Sequence, residues 1–192
     1  MKNINIDIKL LTDASKGNRK AQYSLYKYCF GMLMPVCFRY TKNEEFAREE
    51  LSMAFVKIID ALKKFKPEKG FDPWAKRITV NSIIDNYRKN KKHQFHQEID
   101  NEIVERKIKH TNPIDEKIGY DEIISLLDQI PEGSKKVFNL YVIEGYKHDE
   151  IAEMLDFTVS NSKWHLANAR KLMKSLILKQ RHIAILIIIA LL

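Results

Sequence analysis

The stretch LDQIPEGSKKVFNLYVIEGYKHDEIAEMLDFTVSNSKWHLANARKLMKSL, Leu127–Leu176, decides the fold. It reads as short helices separated by turns. Ile130-Pro131-Glu132-Gly133 is a turn, combining a fixed φ with a permissive one. Ser134 suits an N-cap for a helix carrying Val137, Phe138, Tyr141 and Val142, which Gly145 ends. Two more helices are expected near His148–Leu155 and Val159–Leu178. Ala152 is small, as a close helix crossing requires. Four positions on, Asp156 falls where the turn needs positive φ, which Asp tolerates better than most residues. Ser162, Leu166, Ala169, Met173 and Leu176 then lie at helical spacing on one mostly apolar stripe. Together these features specify a helix-turn-helix.

The other face of that second helix carries Asn161, Lys163, Trp164, His165, Asn168, Arg170 and Lys171. These groups suit base edges and phosphates in a major groove. No Asp or Glu follows Thr158, whereas the preceding helix bears Asp149, Glu150 and Glu153. That polarity is expected if only the second helix meets DNA.

Working outward, a helix near Tyr120–Gln129 precedes this block. Before it, His93–Ile118 is of mixed charge, carries Pro113 and lacks long apolar periodicity. It reads as a linker with a short helix around Ile99–Ile108. The N-terminal block, residues 17–92, opens with an apolar helical run, Ala21–Tyr40, in which Pro35 either kinks the helix or starts one. Glu44–Phe65 is amphipathic, with Leu51, Phe55, Ile58, Ile59, Leu62 and Phe65 on one stripe. Lys66-Pro67-Glu68-Lys69-Gly70 ends it, and a further helix spans about Pro73–Lys91. Its apolar face holds Val80, Ile83, Ile84 and Tyr87, while Trp74, Arg77, Asn81, Asp85, Arg88 and Lys92 share another sector. Between Lys57 and Lys92, eleven basic residues face four acidic ones.

The expected fold class is therefore all-α, with two helical domains joined by a flexible linker. The boundaries are residues 17–92, 93–118 and 119–180, with a short apolar tail at 181–192. The bulk properties agree. In 192 residues there are only 6 Gly and 5 Pro, and the net charge of +8 points to a polyanionic partner. Cys29 and Cys37 have no CxxC spacing and suit buried free thiols in a reducing cytoplasm. Met1–Lys16 lacks the apolar segment of a secretory leader. The tail, Ile183–Leu192, spans about 15 Å as a helix against roughly 30 Å of hydrocarbon. Six scattered histidines, of which His93 and His96 lack a third partner, offer no metal site, and no nucleophile elbow or Walker-type glycine loop is present. Neither an enzyme nor a cofactor is expected, and no small-molecule substrate.

GFDPWAKRITVNSIIDNYRKNKK, Gly70–Lys92, resembles the promoter-melting region of extracytoplasmic-function sigma factors in its Trp, Arg-Ile, Asn, Ile-Asp and basic end. Leu127–Leu176 resembles the same family's −35-reading domain. The resemblance covers roughly Gly17–Lys92 and Tyr120–Ile177, in the family's order and without a middle domain.

It implies an alternative sigma factor that binds core RNA polymerase and directs promoter recognition. The helix at Glu49–Ile59 would dock on the clamp of the β′ subunit through Glu49, Leu51, Ser52, Met53, Phe55, Val56 and Ile59. The Lys63–Asp72 loop, with Lys63, Lys64, Lys66 and Lys69, would hold the −10 strand together with Trp74, Arg77, Asn81, Asp85 and Arg88. Asn161–Lys171 would enter the −35 major groove, and an anti-sigma factor is an expected partner. The chain departs from the family at Ser52-Met53, where a Gln and an acid are usual, and at Asp156, where Gly is usual. The competing reading is a conventional helix-turn-helix regulator, whose effector domain needs no basic-aromatic strand-binding face. A protein held at a membrane surface by its tail is a third.

Overall fold

Short polar side chains open the first three helices. Asp7 Oδ1 accepts the Lys9 N–H at 2.8 Å and starts α1, Ile8–Ser15. Asn18 Oδ1 accepts from Lys20 and Ala21 and starts α2, Arg19–Thr41. Asn43 Oδ1 accepts from Glu45 and Phe46 and starts α3, Glu44–Ala61. Each satisfies N–H groups that a first helical turn leaves without partners. The computed structural model describes residues 6–95 and 120–191, and the regular elements among them are all helical. The chain divides into two units, Met1–Glu98 and Ile99–Leu192.

In the first unit, α3 is followed by two 3₁₀ turns, Leu62–Lys64 and Pro67–Lys69, and then by α4, Phe71–Phe95. Gly70 joins them at φ +71°, a conformation that side chains resist. The core is built from Leu25, Cys29 and Leu33 of α2, Leu51 and Ile58 of α3, and Ala75 and Ile83 of α4. A fully buried Leu among these contributes about 1.5–3 kcal/mol. α1 lies ahead of the boundary drawn at residue 17, yet Leu11 and Ala14 enter the same core. Pro35 lies inside α2 with its ring exposed and does not start a helix. The helix expected from Pro73 begins at Phe71 and reaches Phe95, into the stretch read as linker. The remainder of that stretch, with the helix expected at Ile99–Ile108, lies outside the described residues.

The second unit comprises α5 (Tyr120–Leu127), α6 (Glu132–Phe138), a π-helical segment (Asn139–Ile143), α7 (His148–Leu155) and α8 (Val159–Leu191). Leu126, Leu127, Ile130, Ala169 and Met173 pack together, and Val137, Leu140, Ile151 and Leu166 are also buried. Ser134 does not cap α6. Pro131 holds that position and Ser134 sits a turn in, fully buried, because its hydroxyl is used against α8. Gly145 follows the π-helical segment at φ +76°, as its expected role as terminator requires. The tail is not a separate element, since the backbone of α8 continues unbroken to Leu191.

Candidate nucleic-acid interface

α7, the turn and the start of α8 form the helix-turn-helix. Asp156 takes φ 58°, ψ 46°, the left-handed conformation this turn requires. Phe157 N–H donates to the Ala152 carbonyl at 2.9 Å and closes the turn. Lys147 N–H donates to Glu150 Oε2 at 2.9 Å at the head of α7. The inward stripe is as the spacing requires: Ser162, Leu166, Ala169 and Met173 are buried and Leu176 is half-buried. Outward, Asn161, Lys163, Arg170 and Lys171 are exposed, and Trp164 is 61% exposed.

Two residues assigned to the groove face turn inward instead. His165 is half-buried, stacked on Phe157 at 5.0 Å, with Nδ1 3.2 Å from Ser134 Oγ. Asn168 Nδ2 donates to the same Ser134 Oγ at 3.1 Å. Both lie on the flank of α8 nearest α6, within hydrogen-bonding reach of the Ser134 hydroxyl. Across the other flank, His148 Nδ1 is 2.9 Å from Ser162 Oγ, and its ring stacks on Tyr141 at 4.5 Å. Sequence spacing could not reveal these hydrogen bonds, which join residues 14, 31 and 34 positions apart.

Burial lowers the His165 pKa below the ordinary histidine value. At His148 burial acts first, and the cations Lys163 and Arg170 add repulsion. The unfolded chain thus binds protons more readily than the folded one. Stability is at its full value above the unfolded pKa of about 6.5 and falls as pH drops below it. Between about pH 7.5 and pH 5.5 the chain should lose more thermal stability than its His148→Asn/His165→Asn variant. Equal losses in thermal melts of the two proteins contradict this.

In the first unit, α4 presents the second cationic face. Tyr28 OH donates to Asp72 Oδ1 at 2.7 Å and pins the first turn of α4. Burial, then this Asp72 contact, pushes the phenol up to about 12. Trp74 is half-buried, its ring 4.8 Å from Phe65 and 5.7 Å from Phe71, so only part of the indole is open to a base. Arg77, Asn81 and Arg88 are exposed farther along the helix. Asp85 lies 3.7 Å from both Lys57 Nζ and the Arg88 guanidinium. Lys63, Lys64 and Lys66 are exposed on the turns before α4; the Lys69 side chain lies outside the described residues.

The face of α3 divides sharply. Leu51 is 0% exposed, held in the core, and cannot touch a partner. It lies on the apolar stripe of the amphipathic helix, and that stripe faces the core. Phe55 and Ile59 pack partly against the same core. Glu49 and Ser52 are exposed, with Met53 at 43% and Val56 at 60% exposure, and Phe46 stands exposed near them. Glu45, Arg48, Glu49, Ser52 and Met53 line an open groove of about 500 Å³. Asn86 Nδ2 donates to Glu50 Oε2 at 3.0 Å and lies 3.5 Å from Met53 Sδ, tying this face to α4.

Residues 25–93 match the family model of Sigma-70 region 2, and residues 120–173 that of Sigma-70 region 4. Each match contains one of the two cationic faces. The chain belongs to the sigma-70 family. It is an alternative sigma factor of the extracytoplasmic-function type, acting in promoter recognition and transcription initiation. The two regions in this order disfavour the conventional regulator. The family is regulatory and non-catalytic.

The sigma factor is similar to RNA polymerase sigma factor YlaC of Bacillus subtilis (strain 168), with 25% identity over 172 residues, covering 85% of this chain and 96% of the relative. Sigma factor SigV of the same organism is 26% identical over 145 residues, covering 76% and 84%. Among solved structures, the sigma factor RpoE in complex with the anti-sigma factor NepR from Bartonella quintana aligns over 81% of this chain and 95% of that one, at 13% identity and a TM-score of 0.49. Among the described residues, no cluster of His, Cys, Asp and Glu could hold a metal ion, and no helix is long and apolar enough to cross a membrane.

Proposed function

We propose that this sigma factor divides its work among three surfaces. The exposed side of α3, through Glu49, Ser52, Met53 and Val56, docks on the β′ clamp of core RNA polymerase. The α4 face, through Arg77, Asn81 and Arg88 beside the partly open Trp74, captures the −10 non-template strand. Lys63, Lys64, Lys66 and Lys69 track its backbone. Flipped bases need a pocket or stacking plane and the phosphates need cations, and this face combines both. The outward side of α8, through Asn161, Lys163, Trp164, Arg170 and Lys171, enters the −35 major groove. The observation that carries the reading is the exposed cationic and amide row on α4 beside a tryptophan. Strand capture of this kind draws on binding energy and needs no nucleotide hydrolysis.

The clamp contact departs from the family's usual Gln and acid. Met53 presents a thioether, and Ser52 Oγ is spent on the Arg48 carbonyl at 2.8 Å. The contact is therefore more apolar than usual for the family. Met53→Asp with Val56→Asp should weaken association with core polymerase by on the order of a hundredfold, since desolvated apolar anchors dominate such interfaces. Co-elution with core polymerase on size exclusion reads this, and unaltered co-elution removes α3 from the contact. An anti-sigma factor that covers the same exposed apolar side chains would hold the protein inactive by competing with the polymerase.

A further inference from the structure

Beyond the residues that touch DNA, we propose that His165 is a positioning residue, wedged against Gly133 and Phe157 and hydrogen-bonded to Ser134. In that place it sets the seating of α8 on α6 and so the register of −35 readout. The inference rests on the −35 reading above.

The wedge is tight. A Cβ on Gly133 would lie 2.9 Å from His165 Cε1 and 3.4 Å from both ring nitrogens. Only glycine lets α6 approach the imidazole this closely. The ring cannot simply swing away, because Phe157 stacks on it at an interplanar angle of 19°. Ser134, fully buried, then takes hold of α8 twice, at His165 Nδ1 and at Asn168 Nδ2, one helical turn apart. Two bonds on successive turns fix rotation about the helix axis as well as position along it.

The seating is passed directly to the reading face. Trp164 meets the His165 ring edge-on, with centroids 4.9 Å apart, and is itself largely exposed on the outward side. A displaced imidazole displaces the indole. On the opposite flank, His148 and Ser162 pin the same helix to α7, so α8 is held from both neighbours. Sites that discriminate closely need this kind of support behind the contacting residues.

The test uses core polymerase loaded with the full chain. The readout is the ratio of its affinities for a promoter with its own −35 element and one with that element scrambled. Unfolding of the second unit would itself collapse the ratio, so only variants whose helical content and thermal melt match those of the parent are scored. Gly133→Ala, which touches no DNA, should reduce the ratio about tenfold, as overpacking shifts the helix. His165→Leu should do the same, while His165→Asn, whose amide reaches the position of Nδ1, should keep most of the ratio. Should Gly133→Ala fail to fold, the Leu and Asn variants decide. A wild-type ratio in both Gly133→Ala and His165→Leu, or equal loss in the Leu and Asn variants, overturns the proposal. A parent protein that shows no −35 discrimination overturns the −35 reading itself.

Discussion

Replacing Asn81 and Arg88 together with alanine should lower open-complex formation by about ten- to a hundredfold while core polymerase still binds. Both side chains are exposed on α4, one helical face along from Trp74. Neither contributes to the apolar core. Their loss should therefore leave the helix intact and remove a hydrogen-bonding group and a cation from the strand path. A hydrogen bond is worth about 0.5–1.5 kcal/mol net, so the loss of two sets the expected range. Arg88 is also engaged by Asp85 at 3.7 Å, but both are about half exposed, so that pair is screened and adds little. Permanganate footprinting of the −10 region separates melting from binding. Normal melting in the double variant would remove α4 from strand capture.

Lys163→Ala with Arg170→Ala should weaken −35-dependent initiation, by about 1–3 kcal/mol for each good base contact. Both are exposed on the outward side of α8, in a segment without a single carboxylate. If a side chain instead meets a phosphate, its loss should lower affinity evenly across sequences and reduce the slope of log affinity against log salt by about 1. Titration of promoter variants at several salt concentrations distinguishes the two. An unchanged −35 dependence with an unchanged slope contradicts the placement of α8 in the groove.

The parts of the fold visible in the sequence are those that local chemistry dictates. The stripe from Ser162 to Met173 follows from helical periodicity alone, and Asp156 followed from the need for positive φ in a short turn. The cationic faces followed from charge at helical spacing. What the sequence concealed depends on distant partners. Ser134 looked like a cap because serine caps helices, but Pro131 and a buried hydroxyl contact with α8 decided otherwise. His165 and Asn168 looked like groove residues because they are polar, and α6 claimed them. Leu51 lay in a helix expected to dock on the polymerase, yet its position on the apolar stripe put it inside. The α1 helix escaped notice because eight residues give too little periodicity to read. Its only local signal was Asp7 ahead of Leu10, Leu11 and Ala14.

As a sigma factor, this chain should confer promoter-specific initiation on core polymerase. Run-off transcription on a promoter library, with purified core polymerase and with or without the protein, tests it directly. Discrete transcripts that require the protein and share −35 and −10 elements are expected. Duplex binding in the absence of polymerase, with no protein-dependent transcripts and no association with core, would contradict it.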